Sequence, residues 1–296
     1  MTQAAQTQDA HFPGHFGTVA IVGVGLIGGS LGMALKRRRL ARRVVGVGRT
    51  RERMDAALRL GAVDAGTTEL AEGVRDADVV VLCTTVGHIV DSLPDVLARV
   101  KPGAVVTDVG STKGAICGRA AGCPRFVGGH PMAGSEQAGV EAATPLLFEE
   151  ATWAVTPTGE TDAGARHTVE RLAREVGATT LTLSPDAHDA ILAVTSHLPH
   201  VLASALMRQA DGARRAHPPL TQLTAGSFAD ATRVAASPPP IWRDVCLTNR
   251  EALRDALAAF RAELDTLEEA VAAGDAGRIE AFFGAGADAK RGWGAP

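Results

Sequence analysis

A glycine-rich turn near the start of the chain constrains its fold more than any other feature. Residues 18–32 read TVAIVGVGLIGGSLG, in which a β-branched run is followed by spaced glycines and then by an apolar, helix-like segment. A G-x-G-x-x-G pattern after a strand and at the start of a helix is typical of dinucleotide binding, because the helix N-terminus offers free N–H groups and a partial positive charge to phosphates. We therefore predict a dinucleotide site that contains Gly23, Gly25, Leu26, Ile27 and Gly28.

Strand-like and helix-like segments alternate from Thr18 to about Leu183, which is the pattern of a parallel sheet covered by helices. The predicted strands are Thr18 to Val22, Arg43 to Val47, Asp78 to Cys83, Ala104 to Asp108, Arg125 to Gly128, Thr152 to Val155 and Thr179 to Leu183. The predicted helices are Leu26 to Arg39, Arg51 to Leu60, His88 to Arg99 and Ala163 to Val176. Such a domain binds ligands where its strands end, so the residues that follow each strand are candidates for a site.

Beyond Pro185 the strands stop and the chain becomes helical. One apolar stripe with helical spacing predicts a long helix that begins near Pro240 and Ile241 and packs in a core or subunit interface: Leu253, Leu257, Phe260, Leu264, Leu267 and Val271. We expect a Rossmann-type α/β domain over residues 17–183 and an all-α dimerisation domain over residues 184–296. Residues 1–16 are polar and lack a signal-peptide pattern, so we expect a disordered leader there.

Composition excludes several classes of function. The 296 residues carry a net charge of -3, which gives no basic field for a nucleic acid, and the KRRRLARR run is expected to decorate a helix C-terminus. The four cysteines form no C-x-x-C pair and suit reduced thiols in a cytoplasmic protein, and we expect no membrane partner. The chain has no tyrosine, which excludes dehydrogenases that take their proton from a Tyr-x-x-x-Lys pair.

The end of the second predicted strand bears on the choice between NAD and NADP. NAD-binding domains usually place an acid there to hold the ribose hydroxyls, but this chain has Gly48, followed by Arg49, Thr50 and Arg51. The missing carboxylate and the two cations favour NADP, although NAD and a purely solvated pair of arginines both stay open. Thr84, directly after the strand Asp78 to Cys83, is a further candidate for contact with the cofactor.

Two later segments place reactive side chains after strands. In VTDVGSTKG, Ser111 and Thr112 follow a strand and could cap the next helix. In VGGHPMAGSEQAG, His130 comes just past a strand and is held in extended geometry by Pro131. A histidine at this edge of a nucleotide-binding sheet is a candidate for proton transfer beside a nicotinamide, although a structural histidine is an equal alternative on this motif alone.

Together the motifs resemble those of the prephenate/arogenate dehydrogenase family of tyrosine biosynthesis. GVGLIGGSLG, DVGSTKG, GGHPMAGSEQAG, SHLPH and DATRVAASPPPIWRD occur in that family's order and at about its spacing, from residue 18 to about residue 272. The resemblance implies a homodimer with an active site between its two domains. It also implies oxidation of a ring alcohol by hydride transfer to NADP or NAD, while a ring carboxylate leaves as CO₂.

The same resemblance implies roles for individual residues. His130 would draw off the alcohol proton, and Ser111 would orient the hydroxyl, the histidine and the nicotinamide. The implied substrate contacts are Arg233 for a carboxylate, His197 and His200 in the ring pocket, and Glu136 and Trp242 close to it. The histidines lack metal-site spacing, and no metal is expected.

Two alternatives remain open. Other two-domain NADP-dependent hydroxyacid or imine oxidoreductases share this architecture, but many use a lysine after the nucleotide-binding domain, and here none occurs between Lys113 and Lys290. A non-catalytic NADP-binding protein is the second alternative, against which Ser111, His130 and Arg233 all stand in their motifs. Prephenate and arogenate are both possible substrates.

Overall fold

An eight-stranded sheet forms the first part of the chain in the computed structural model, which describes residues 15–134 and 137–293. The strands are β1 (Thr18–Val22), β2 (Arg43–Val47), β3 (Ala65–Thr67), β4 (Val79–Leu82), β5 (Val105–Asp108), β6 (Phe126–Pro131), β7 (Thr152–Thr156) and β8 (Thr179–Thr182). Their order is β3-β2-β1-β4-β5-β6-β7-β8. The order reverses between β1 and β4, which opens the crevice where doubly wound sheets bind nucleotides.

The sheet is parallel except at one pair. β7 runs antiparallel to β6, with His130 opposite Ala154, so the predicted parallel pattern holds for every pair of neighbouring strands except this one. The cause is the connection: the described residues between these strands form only a short 3₁₀ turn, Val140–Ala142, whereas a parallel crossover normally needs a helix. The predicted strands otherwise agree with the structure within two residues, but β6 continues to Pro131 and β3 was not predicted.

Helices cover both faces of the sheet. They are α1 (Leu26–Arg37), α2 (Arg51–Arg59), α3 (Leu70–Val74), α4 (Val86–Leu97), α5 (Gly114–Arg119) and α6 (Ala163–Glu175). Side chains of β1 alternate between the two faces, so Val19 and Ile21 join one buried cluster and Ala20 and Val22 join the other. We call this part of the molecule, Thr18–Thr182, the sheet domain.

The helical domain follows from Pro185. Its helices are α7 (Pro185–Leu192), α8 (Leu198–Arg214), α9 (Gly226–Thr232), α10 (Pro239–Thr248), α11 (Arg250–Ala272) and α12 (Ala276–Gly292). The long helix predicted from Pro240 onward is wrong in one respect, because it breaks at Asn249, whose φ of -117° and ψ of 40° are not helical. The spacing of apolar residues could not predict this break. The break accompanies hydrogen bonds of the Asn249 side chain to distant residues, which are described below.

The chain ahead of β1 is partly packed. Residues 1–14 of the predicted leader lie outside the described residues. Phe16, however, is only 4% exposed and joins a buried cluster of the sheet domain, with the Arg171 guanidinium 4.2 Å from its ring centroid. The disordered leader predicted for residues 1–16 is therefore too long, because its last aromatic residue is part of the core.

One continuous helical segment, Pro185–Arg214, is long and apolar enough to cross a membrane by length and composition, with a mean hydropathy of 1.5. It comprises α7, a π-helical turn (Ala193–His197) and α8. The same segment buries His188 and Asp189 against the sheet domain, where both are hydrogen-bonded. Its polar side chains thus form part of the contact between the two domains.

Candidate active site

The glycine-rich turn has the geometry that a bound pyrophosphate requires. Gly23 has a φ of +96°, which favours glycine, and a Cβ on Gly28 would lie 2.2 Å from the Gly23 carbonyl oxygen. Gly25, in contrast, has no atom within 4 Å of where its Cβ would be, so this side of the turn is open to a ligand. With α1 starting at Leu26, the turn presents the free N–H groups of Leu26 and Ile27, and the chain fits a dinucleotide here.

Thr84 lies beside this turn at the end of β4. Its methyl group would be 2.7 Å from a Cβ on Gly23, and its buried hydroxyl has no hydrogen-bond partner within the described residues. A buried hydroxyl normally has a partner, so this one fits a contact with a bound group. Thr84 was predicted from its position alone, and its surroundings support that choice.

At the end of β2, the Met54 side chain fills the space that the side chain of an acidic residue at position 48 would occupy. A Cβ on Gly48 would lie 2.3 Å from the Met54 terminal methyl carbon, so an aspartate there would need Met54 to move. Arg49 is exposed and has no carboxylate partner in the described part of the chain, whereas Arg51 pairs with Asp55 at 3.4 Å. Thr50 caps α2 by accepting from the Arg53 backbone N–H.

His130 lies in the last part of β6, not past its end as predicted. The strand continues because the backbone pairs with β7 up to Pro131. The His130 ring is partly buried, and its Nδ1 lies 2.9 Å from Nε2 of His188. Burial lowers the pKa of His130 well below its ordinary value, and the neighbouring charge on Lys113 lowers it further, so the ring is neutral at physiological pH.

His188 and Asp189, both buried in α7, were not predicted as site residues. Asp189 Oδ1 lies 2.7 Å from His188 Nδ1 and accepts from the Lys113 N–H at 2.7 Å, while Oδ2 accepts from the Gly114 N–H at 2.8 Å. The carboxylate thus caps α5 from another domain. One sequence signal could have pointed to them: adjacent His and Asp directly precede the apolar run Ala190 to Val194, where buried polar groups need partners.

This cap replaces the one expected from Ser111 and Thr112. Neither hydroxyl caps α5; instead the Thr112 hydroxyl lies 2.8 Å from that of Thr248 in the helical domain. Ser111 is partly buried at the carboxyl end of β5, next to the strand that carries His130. The structure therefore places Ser111 at the expected edge of the sheet.

A buried ion pair lies beneath this edge. Lys113 and Asp108 are fully buried and paired, and Lys113 Nζ also donates to the Gly129 carbonyl at 2.7 Å. Asp108 Oδ1 in turn accepts from the Gly129 N–H at 3.1 Å. These bonds tie the end of β5 to the residue directly before His130, so they fix the backbone that carries its ring.

His197 is buried in the helical domain and held by Asn249. The Asn249 amide nitrogen lies 3.1 Å from His197 Nδ1 and donates to the Asp189 carbonyl at 2.8 Å, which explains the helix break at this residue. Burial lowers the pKa of His197 to about 4. Since an amide N–H donates to Nδ1, the His197 proton is on Nε2, which is buried without a partner among the described residues.

His200, Trp242 and Arg233 form a second group of predicted residues. The rings of His200 and Trp242 stack with centroids 3.8 Å apart, and His200 Nδ1 donates to the Ser196 carbonyl at 3.0 Å. Partial burial and the nearby charge of exposed Arg233 lower the pKa of His200, against the effect of that hydrogen bond. Trp242 also contacts His197 edge to face, so the two histidines share one aromatic wall.

Other predictions have more limited outcomes. Glu136 lies outside the described residues. Within residues 15–134 and 137–293, no group of three His, Cys, Asp or Glu side chains is placed to hold a metal ion.

A second carboxylate, besides Asp189, joins the two domains: Asp244 Oδ2 accepts from the Gly87 N–H at 3.3 Å, at the start of α4.

Comparison with known proteins agrees with this geometry. Residues 31–182 match the family described as prephenate dehydrogenase, nucleotide-binding domain, and residues 184–285 match prephenate dehydrogenase, dimerization domain. The chain is 34% identical to the prephenate dehydrogenase of Bacillus subtilis over 271 residues, which is 90% of this chain and 73% of the relative.

Solved structures show the same likeness. The prephenate dehydrogenase of A. aeolicus, in complex with hydroxyphenyl propionate and NAD+, superposes with a TM-score of 0.83 at 32% identity, covering 93% of this chain and 96% of that one. The arogenate dehydrogenase of Synechocystis superposes with a TM-score of 0.80 at 28% identity, covering 94% and 100% of the respective chains.

Proposed function

This chain belongs to the prephenate dehydrogenase family, and we propose that it oxidises and decarboxylates prephenate, arogenate or both. The observation that carries this proposal is His130, neutral and held through Nδ1 at the carboxyl end of a nucleotide-binding sheet. A neutral imidazole in that position can accept the proton of a ring hydroxyl.

The residues of the sheet domain supply the proton chemistry. As the C4–H bond of the substrate breaks, His130 takes the proton from the C4 hydroxyl, and Ser111 orients that hydroxyl. A nicotinamide held by the glycine-rich turn would supply the hydride acceptor. The C1–carboxylate bond then breaks, its electron pair enters the ring, and CO₂ leaves. His130 returns its proton to the phenolate, so no net proton is released. Because the ring becomes aromatic, positioning accounts for most of what the protein supplies.

The residues of the helical domain recognise the substrate. A guanidinium can pair with a carboxylate through two parallel hydrogen bonds, which is the contact proposed for Arg233. The stacked rings of His200 and Trp242 offer an aromatic face to a six-membered ring, and the buried Nε2–H of His197 offers a donor to a substrate oxygen. Glu136 is proposed near the entrance on the resemblance alone.

We propose NADP as the preferred cofactor. Support comes from the exposed Arg49 beside Thr50 and Arg51, and from Met54, which fills the space of the acid that NAD-binding domains use. Gly23, Gly25 and Gly28 would hold the pyrophosphate, and Thr84 would lie near the nicotinamide half. KM values for NADP and NAD at saturating substrate test this assignment, and a lower KM for NAD would overturn it.

We also propose a cytoplasmic homodimer. The match to a dimerization domain and the exposed apolar side chains of the helical domain support the assembly. The free thiols of Cys83, Cys117, Cys123 and Cys246 suit a reducing compartment. Nothing in the charge pattern favours a nucleic-acid partner, and the polar contacts of Pro185–Arg214 favour a soluble chain over a membrane-bound one.

An assay of the purified protein with each pairing of prephenate or arogenate and NADP or NAD tests the activity. We expect the increase in absorbance of the reduced cofactor in at least one pairing, together with release of CO₂. Reduction without CO₂ would indicate a hydroxyacid oxidoreductase instead. Binding of cofactor with no turnover in any pairing would favour a non-catalytic sensor.

A further inference from the structure

A chain of three side chains connects the helical domain to His130. Asp189 Oδ1 lies 2.7 Å from His188 Nδ1, and His188 Nε2 lies 2.9 Å from His130 Nδ1. His188 is fully buried and Asp189 is 6% exposed, so water does not compete for these bonds. Two backbone N–H groups at the start of α5 hold the carboxylate in place.

The donor and acceptor of each hydrogen bond in this series can be assigned by starting from Asp189. An ionised carboxylate only accepts hydrogen bonds, so Asp189 holds the His188 proton on Nδ1. When His188 carries only this proton, its Nε2 lone pair accepts from Nδ1–H of His130. With its proton on Nδ1, neutral His130 has its lone pair on Nε2, the nitrogen that is not engaged by His188. The tautomer of a histidine is set by the bond that its other nitrogen makes.

We propose that His188 and Asp189 are positioning residues that fix His130 in the Nδ1–H tautomer, so that its Nε2 is the proton acceptor. The inference rests on the proposed function, since it assigns these residues to that reaction. Neither residue needs to touch the substrate, because both act through His130. Burial and the charge of Lys113, which keep His130 neutral, make the tautomer decisive, since a neutral ring with its proton on Nε2 has no base to offer.

A second consequence concerns the two domains. Because Asp189 also caps α5, the same carboxylate joins the helical domain to the sheet domain and sets the tautomer. His130 is therefore a competent base only when α7 is docked on the start of α5.

Substitutions at His188 separate tautomer control from packing. In His188→Gln, the side-chain oxygen can accept from His130 while the amide N–H₂ faces Asp189, so the polarity is kept; His188→Leu fills similar space without an acceptor. We expect kcat to fall at least about 100-fold in the Leu variant and less than about 10-fold in the Gln variant, with cofactor Kd unchanged in both. Equal kcat values in the two variants would overturn the proposal.

The tautomer itself can be read in the wild-type protein without substrate. Two-bond ¹H–¹⁵N spectra of the ¹⁵N-labelled protein, with the His130 signals assigned by their loss in His130→Asn, should show the proton on Nδ1. A proton on Nε2 in wild type would overturn the proposal even if the Leu variant failed to fold.

Asp189→Asn and Asp244→Asn form a matched pair, because each carboxylate crosses the domains and caps a helix but only Asp189 contacts a histidine. We expect Asp189→Asn to change the His130 nitrogen shifts and Asp244→Asn to leave them in place. Equal changes in the His130 shifts of both variants would mean that contact between the two domains, and not the hydrogen bond from Asp189 to His188, determines the state of the His130 ring. Absence of turnover in wild type would refute the proposed function, whereas the tautomer is measured independently of turnover.

Discussion

In the sheet domain, two apolar clusters fill both faces of the sheet, and the strands and helices bury one another. In the helical domain, among the described residues, the buried part of the apolar cluster consists of Ala193, Leu198 and Ala256. Large apolar side chains of that domain stay exposed instead: Ile191, Val194, Leu206, Met207, Leu223, Ile241, Leu247, Leu264, Val271, Phe283 and Trp293. Exposed apolar side chains in this number are consistent with the proposed dimer.

The difference teaches that the two domains reach stability in different ways. The sheet domain has a complete core, and its proposed roles are cofactor binding and proton transfer. The helical domain leaves the apolar side chains named above exposed, which the proposed homodimer would cover, and its proposed roles are assembly and substrate recognition. Substitutions at the strand ends of the sheet domain should therefore change kcat or cofactor binding without changing assembly, and those on the exposed apolar surface of the helical domain should change assembly.

The largest effect is expected at His130 in the sheet domain. His130→Asn removes the proton acceptor but keeps a polar side chain, so kcat should fall by about 10² to 10⁴, the usual scale for loss of a general base. Cofactor Kd, measured by fluorescence titration, and the dimer mass should stay the same. Near-normal turnover would remove His130 from the mechanism.

A charged residue placed among the exposed apolar side chains of α11 tests whether the helical domain forms the dimer interface. Leu264 on α11 is 48% exposed, and we expect Leu264→Lys to raise the dimer Kd at least about 100-fold, because a buried, unpaired charge costs several kcal/mol. Glu263→Lys adds the same side chain at the neighbouring exposed position and serves as the control. Light scattering that shows an unchanged dimer for Leu264→Lys would place the interface elsewhere on the helical domain.

The two domains also differ in how much of their structure could be predicted from the sequence. The strands of the sheet domain and the positions of Gly23, Ser111 and His130 follow from local patterns, because strand ends and turns are set by neighbouring residues. The strand β3 escaped prediction, since Ala65–Thr67 is too short to show alternation.

In the helical domain, the helical content was predictable but its contacts were not. The cap that Asp189 places on α5 joins residues 75 positions apart, and the break at Asn249 depends on a bond to the Asp189 carbonyl, 60 positions away. The spacing of residues along one helix does not predict such distant hydrogen-bond partners. His188, Asp189 and Asn249 were therefore not predicted, whereas the residues that recur in family motifs were.

Acid should destabilise the helical domain through His197. Its folded-state pKa of about 4 lies below the ordinary 6.5, because burial disfavours the charged ring. The unfolded chain therefore binds a proton first. The stability that His197 contributes is full above about pH 6.5 and is lost as the pH falls towards 4, by up to about 3 kcal/mol. Urea denaturation of wild type and His197→Gln at pH 7 and pH 5 should show a smaller loss for the variant. Equal losses would assign the acid sensitivity to other groups.

Arg233 tests substrate recognition by the helical domain. Arg233→Ala should raise KM for the carboxylate substrate by roughly 10- to 100-fold, the scale of a charge-assisted hydrogen bond, with a smaller effect on kcat. Arg233→Lys should lie between, because it keeps the charge without the paired geometry. If saturation is the same in all three proteins, another cation binds the carboxylate.

The smallest effect is expected at the far end of the cofactor site. Arg49 is exposed, so its contact with a 2′-phosphate should contribute only about 1 kcal/mol, and Arg49→Ala should raise KM for NADP about fivefold while leaving KM for NAD unchanged. Arg51→Ala is the matched control, since Arg51 already pairs with Asp55 and should matter less. Both variants should remain dimeric, because the proposed interface is the exposed apolar surface of the helical domain, to which neither arginine belongs. An equal rise in KM for both cofactors would show that Arg49 binds a phosphate common to NAD and NADP, and the preference would then rest on Gly48 and Met54.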